Sequence, residues 1–420
     1  MLGRTQCLLS SNIDDTGLSS RQRLYTPELN YVIINLSEEM SYRKEAEHLN
    51  QIQHRDKSTC FNPITLSNFI INCGSQAHQI QLNQAEQVLY EFGFDPKTGA
   101  LQPGVTLPSS ITDPVIPADE MAKAKAQFQD ALNDYMQKYP DTPLDIPEVL
   151  SKLECPQHST ILMIDDVSVK RQKEERSVNG KEGKKSAQTV INTICWIVSS
   201  EGAYAIAAED TKQGLIMSLG YMLKNNLLEN HNLIIFFDGA KVIRTNVEEI
   251  FSFHKPLAFY LDWYHVCKRI SENLSMGLKC GKENRENNQD LIKRILKKIW
   301  FNQIDKAVDI LTSIESQMIR NRKKIIDTID YLNNRRPYLY NFASRKITGL
   351  INSSNRVEDM NNQIVARRQK NKGMSWSSRG SRGLAVVCTL KVNNESDVWI
   401  SQGTIRFSPK TGKQDTLTAA

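Results

Sequence analysis

Three carboxylates that lie far apart in the chain, Asp165, Asp238 and Glu358, are placed for metal-assisted chemistry on a phosphodiester. Asp165 follows the apolar run Ile161 to Ile164, and Asp238 follows Leu233 to Phe237, 73 positions later. Both runs have the composition of buried strands, so each acid is expected at a strand end. Glu358 comes 120 positions after Asp238, in a helical stretch from Val357 to Arg368 that can bring it back as a third ligand. Phosphodiester cleavage without a covalent enzyme intermediate commonly uses two divalent ions, which activate the attacking oxygen and stabilise the leaving one. Carboxylate oxygens suit magnesium, or manganese in its place, and magnesium keeps positions for water and phosphate oxygens. Each acid also has a structural reading. Asp238 before Gly239 fits a strand-ending turn, and Asn355 with Glu358 matches a capping box.

Around these acids stand residues with supporting chemistry. Asp262 and His265 fall one turn apart at a strand-to-helix junction, where a hydrogen bond between them would brace the metal-binding edge. His265, Cys267 and Cys280 form a rival zinc set, but their spacing is irregular and no fourth ligand is evident. Arg356, Arg367, Arg368, Lys370, Lys372, Arg379 and Arg382 cluster around and after Glu358 with few acids among them. They read as a phosphate-binding surface for double-stranded DNA, with a plain solvated face as the alternative. Trp376 reads either as a platform for an unpaired base or as core.

The elements that must hold these residues follow from periodicity. After Thr160 come a short strand, a basic loop from Lys170 to Lys185, and a hairpin of Thr189 to Val198 with Ala203 to Ala208. A helix from about Thr211, the strand Leu233 to Phe237, a helix from about Val242 and the strand Leu257 to Leu261 complete the order. That is the connectivity of an α/β ribonuclease-H-like core, a meander extended by parallel strands through helical crossovers. The core is expected at 158–275 and 350–390. Ile295, Ile299, Val308, Leu311, Ile325 and Ile329 recur at helical spacing, which predicts a helical insertion at 276–349.

Upstream, residues 1–83 read as an all-α region of three short helices. Thr26-Pro27 and Asn62-Pro63 are cap and first-turn signatures. The third helix points Asn68 and Asn72 outward, as the recognition helix of a helix-turn-helix would. Residues 84–157 read as a linker around an exposed amphipathic helix from Met121 to Tyr139, and 391–420 as a C-terminal tail. The 420 residues carry a net charge of +6, too mild to announce a nucleic-acid partner by itself. Eight cysteines are scattered without a Cys-x-x-Cys pair. With no long apolar run or signal pattern, this predicts a cytoplasmic, nucleoid-associated protein with reduced thiols and no membrane contact.

Three blocks resemble the mutator-type superfamily of transposases, in particular its bacterial insertion-sequence groups, over roughly Ile161 to Trp399. They are Ile161-Leu-Met-Ile-Asp165-Asp-Val; Ile234-Ile-Phe-Phe-Asp238-Gly with Asp262-Trp-Tyr-His265; and Ser354-Asn-Arg-Val-Glu358, running on through Ala366-Arg-Arg-Gln-Lys-Asn-Lys-Gly-Met-Ser-Trp376-Ser. By that resemblance Asp165, Asp238 and Glu358 are a catalytic Asp-Asp-Glu triad holding two magnesium ions. Asp262 and His265 then match the family's Cys-or-Asp, two-residue, His signature. Asp166 stands where many relatives have glycine, and Asn352-Ser-Ser-Asn355 where relatives often have a Gly-rich stretch. The resemblance implies DNA strand cleavage and strand transfer at the ends of a mobile element by a homo-oligomer on DNA. A nuclease or resolvase on the same fold, and an inactive DNA-binding descendant, are the alternatives.

Overall fold

The computed structural model describes residues 26–52, 61–173, 188–255, 257–281, 284–352, 355–370 and 374–409. Most of the basic loop after Lys170, and Lys372, lie outside them. Three helices come first: α1 (Pro27–Glu39), α2 (Tyr42–Ile52) and α3 (Pro63–Glu91). Thr26 and Asn62 cap α1 and α3 as their sequences predict, each with proline in the first turn. The helix α3 is not short, however. It runs for 29 residues, so a boundary at residue 83 falls inside it.

The segment read as a linker is folded. It holds α4 (Ser109–Thr112), α5 (Ala118–Lys138) and α6 (Ile146–Ser151). Phe128 and Leu132 of α5 build a small second core with Val149, Leu153, Ala343 and Leu350. The amphipathic face of α5 therefore packs on the chain instead of facing solvent.

The sheet comprises β1 (Ser159–Lys170), β2 (Thr189–Ser199), β3 (Gly202–Ala208), β4 (Asn232–Phe237) and β5 (Leu257–Leu261), in the spatial order 3-2-1-4-5. Strands β1, β2 and β3 form the antiparallel meander, while β4 and β5 extend it in parallel. The helices α7 (Thr211–Lys224) and α8 (Lys241–Ile250) make the two crossovers. From Leu233 to Phe237 every residue of β4 is buried, as a central parallel strand requires. One expectation changes: β1 continues to Lys170, so Asp165 lies within the strand rather than at its end.

After β5 come α9 (Trp263–Gly277), α10 (Arg285–Trp300), α11 (Ile304–Thr312), α12 (Arg322–Arg335) and α13 (Phe342–Ile347). Ile295, Ile299, Leu311 and Ile325 of this helical array are buried, as their spacing predicts. The chain then returns through α14 (Asn355–Asn361), a π turn at Asn362–Ala366 and α15 (Arg367–Gln369), followed by α16 (Ser378–Val392) and α17 (Ser396–Gln402).

Opposite faces of the sheet are covered by α7, whose Gly214 lies against Cys195 and Ala208, and by α16, whose Ser381 bonds Asn192. The helix α3 packs on both. Gly74 meets the backbone of Gly383 on α16, and Ala85 meets Gly220 on α7. Gln81 of α3 also donates to the Tyr204 hydroxyl on β3. So α3 passes along the β3 edge of the sheet from one covering helix to the other, while the Asn393 side chain pairs both backbone groups of Ala205 on that edge. The stretch read as a tail is also packed: Phe407 is fully buried against Tyr204 and Tyr221.

Candidate active site at the edge of strands β1 and β4

Strands β1 and β4 pair in parallel from Ser159 with Asn232 to Met163 with Phe236, a constant offset of 73. That offset is also the separation of Asp165 and Asp238, which lie two residues beyond the last pair, so the register carries both acids to the same edge, close enough for Asp238 to act on the Asp165 carboxyl. Here β4 ends in the Asp238-Gly239 turn while β1 runs on beside β2 alone. Asp238 Oδ1 accepts from the Ala240 amide at 2.7 Å. Gly239 has φ +92°, and a Cβ on it would lie 2.9 Å from the Leu261 side chain, so only glycine fits this turn. The turn and ligand readings of Asp238 are compatible, since the bond uses one oxygen.

Glu358 reaches the same edge from α14. Asn361, one turn further along that helix, donates Nδ2 to Asp165 Oδ2 at 2.6 Å and fixes the helix over the strand. The π turn directly follows Asn361, and such bulges recur where a helix must aim side chains at a site. Sequence reasoning missed Asn361, although Glu358-x-x-Asn361 is the spacing of a shared helix face. The Asn355 side chain, the other half of the capping box, lies outside the described side chains.

Asp262 is fully buried and caps α9 by accepting from the His265 amide at 3.1 Å. The expected side-chain bond is not made. His265 Nδ1 is 3.9 Å from Asp262 Oδ2 and has no hydrogen-bond partner, while its Nε2 is 3.6 Å from Glu358 Oε1. The imidazole thus stands between two acids without bonding either.

Charge crowds this edge. Burial pushes the Asp165 carboxyl up, and the Asp238 and Asp166 carboxylates add to it, against the Asp166 amide and His265. Asp166, held by the Thr193 hydroxyl, is raised by burial and then by Asp238 and Asp210. Glu358 is raised by burial, then by Asp262 and by Asp165, with His265 and Lys268 pulling the other way. Among the described residues no three Asp, Glu, His or Cys side chains stand close enough to hold one ion between them. The triad is therefore an electrostatically coupled group, not a closed cage. Carboxylate oxygens, with Asp165 and Glu358 both raised by burial and by neighbouring acids, fit magnesium whose remaining positions go to water and phosphate.

The cations beside the acids are not those the sequence cluster predicts. Arg368 is 1% exposed, lies between the Tyr42 and Trp376 rings and donates to the Ser37 carbonyl. Trp376 is 5% exposed and donates its indole N–H to the Gln369 carbonyl. Both belong to the core, because a planar cation stacked between aromatics can be desolvated where a lysine could not. Neither can meet DNA. Arg367 is exposed but ion-paired with Glu39 at 2.6 Å, Lys370 is exposed, and Arg356 is half-buried with an unpartnered Nη1. Asn68 is exposed and Asn72 half-buried on a helix whose buried face is committed to the core, not to a separate helix-turn-helix unit.

Instead, a cleft of about 390 Å³ opens beside Asp238, lined by His265, Lys268, Arg269, Tyr331 and Arg335, with Glu272 as its one further acid. Arg335, from the last turn of α12, donates to the Gly239 carbonyl at 2.8 Å and keeps a buried, unpartnered Nε. Its arrival could not be read locally, since nothing near Arg335 marks it as a neighbour of Gly239. No family model, no curated protein and no solved structure matches the chain.

Proposed function

We propose that this chain is a metal-dependent DNA strand-cleaving and strand-joining enzyme with a ribonuclease-H-like core, a transposase of the Asp-Asp-Glu type. The observation that carries the reading is the arrival of Asp165 and Asp238 at one edge of the sheet, with the helix that carries Glu358 tied to Asp165 through Asn361. The 3-2-1-4-5 sheet and the helical array between β5 and α14 are consistent with it.

Asp165 and Asp238, with Glu358, are the residues that would hold magnesium or manganese, and two such ions would supply activation of the attacking oxygen and stabilisation of the leaving one. The chain's own groups do the rest. Lys268, Arg269 and Arg335 line the cleft where a strand's phosphates would lie, neutralising charge that the carboxylates alone would repel. Asn361 and the Asp166 amide hold the Asp165 carboxylate in one orientation, one on each oxygen, so each oxygen keeps a second lone pair for the site. His265, between Asp262 and Glu358, sets the field on the third acid. Double-stranded DNA is the proposed partner, and joining two element ends implies more than one copy on the DNA.

The test is incubation of the full chain with labelled duplex in magnesium, scoring nicked and joined products. Cleavage with transfer to a second duplex supports a transposase. Cleavage alone, at any protein concentration, reduces the reading to a nuclease. Neither product in magnesium or manganese removes the enzyme reading.

A further inference from the structure

A second cavity, of about 190 Å³, lies between α3, α16 and the ends of β2 and β3. Its walls are small because the two helices cross at Gly74 and Gly383, where a Cβ on Gly74 would come within 2.1 Å of the Gly383 carbonyl. Three polar atoms of its lining residues are buried and unpartnered: Asn192 Oδ1, His78 Nδ1 and Arg382 Nε.

The Asn192 amide has only one orientation. Gln369 Nε2 donates to the Ser381 carbonyl, so Gln369 Oε1 must accept, and it takes the Ser381 hydroxyl at 2.6 Å. With its proton spent there, the Ser381 hydroxyl can only accept, and it accepts from Asn192 Nδ2 at 2.8 Å. Asn192, 1% exposed and one of the lining residues, is left with a fixed, unpaired acceptor at the wall of the cavity. A buried acceptor without a donor is costly, and this one is held in place by a chain of three fully used groups.

The occupant must therefore bring an N–H or O–H to the floor. It must also suit a basic mouth, where Arg379 and Arg382 face a single carboxylate, Glu209, which pairs with Arg382 at 3.1 Å. A free hydrogen phosphate ion also fits the mouth and carries an O–H, and it is the competitor that the experiment below separates from a base. The space exceeds the roughly 150 Å³ that accepts a benzene ring. Position narrows the choice further. Asp165 is paired with Ile194, and Asn192 lies two residues along β2, so the two are diagonal neighbours about 7–8 Å apart on one face.

We propose that this cavity receives one unstacked nucleobase of the strand whose phosphate lies at the Asp165 edge, a proposal that rests on the nucleic-acid reading above. The base meets the Asn192 acceptor with a ring or amino N–H, and its own backbone phosphate meets Arg379 and Arg382.

The experiment measures binding of the full chain, without divalent metal, to a duplex with a short single-stranded overhang. The overhang is made in two forms, one carrying bases, including fluorescent aminopurine, and one abasic throughout. The wild type should bind the base-carrying form about 10-fold more tightly, which corresponds to ~1.4 kcal/mol, and change the aminopurine emission. Asn192→Leu should erase that preference. Ser75→Trp, which plugs the mouth from an exposed position on α3, should erase it too without touching the core. Both variants should keep wild-type affinity for blunt duplex. Equal wild-type affinity for the two overhangs, or a preference that survives Ser75→Trp, overturns the base pocket while leaving the DNA reading intact. Equal affinity for the two overhangs, with inorganic phosphate weakening both to the same extent, would mark an anion site only and also overturn it. Failure to bind any of these DNAs overturns the nucleic-acid reading itself, and this proposal with it.

Discussion

Asp165 is held by Asn361 and by the Asp166 amide, yet burial and two neighbouring carboxylates oppose its ionisation. The sign of the consequence is fixed. A carboxyl raised in the folded state favours folding when protonated, and that contribution is lost as pH rises through the raised value. Function runs the other way, since a ligand oxygen must be ionised. Cleavage should therefore fall on acidification at a higher pH than a free carboxylate would give, and the midpoint should move down as magnesium is raised. Rate profiles at two magnesium concentrations check this. An acid limb in the ordinary carboxylate range, insensitive to magnesium, would separate the raised acids from the chemistry. The candidate acids could be singled out in sequence because a buried strand needs an apolar run and the carboxylate after that run stands out, although β1 continues past Asp165. The 73-residue spacing was visible too, but its identity with the strand register was not. Register is a property of two strands, and one strand's sequence does not report it.

At the scale of elements, the helix that carries Glu358 is fastened at its far end by Arg368, which passes between Tyr42 of α2 and Trp376. A cation near an aromatic in a basic stretch looks alike in sequence whether it faces DNA or core, so the place of Arg368 could not be read from the cluster. Arg368→Met should destabilise the protein by about 2 to 4 kcal/mol, by unpairing the Ser37 carbonyl and removing the stacked cation. Its affinity for DNA should not change. Denaturant unfolding alongside binding checks both, and a normal stability with weakened binding would return Arg368 to the surface. Nearby, Glu45 is fully buried, accepts from the Ser37 hydroxyl, and is pushed by burial up to about 8. Its protonated form favours folding up to the free-carboxyl range, and that stability fades as pH rises toward 8 and beyond. Glu45→Gln should thus gain on the order of 4 kcal/mol over the wild type at pH 9 relative to pH 5. Melting curves at the two pH values decide it, and an unchanged difference would contradict the assignment.

Over the whole molecule, the N-terminal helices and the sheet form one core, because α3 spans from α16 to α7 across the β3 edge. The proline-capped helix starts were legible, but the end of α3 was not. Its later half, from Gly74 through Ala85, buries small residues whose pattern reads as polar helix until the partner helices are known. A fragment of residues 1–83 should then lack cooperative structure by circular dichroism and amide exchange, and a cooperative melt would restore the separate domain. The insertion and the core are likewise joined, since Arg335 bonds the Gly239 turn that presents Asp238.

The central claim is that Asp165 and Asp238 act together on one phosphate, and its most direct test is the magnesium-dependent cleavage rate of Asp165→Asn, Asp238→Asn and the double variant, each measured beside its affinity for the same duplex. The account predicts a loss on the order of 10³-fold in each single variant, no further loss in the double, and affinity within about two-fold of the wild type, because residues that act as a unit are not additive. A single variant that cleaves near the wild-type rate, or two losses that multiply in the double, would contradict it.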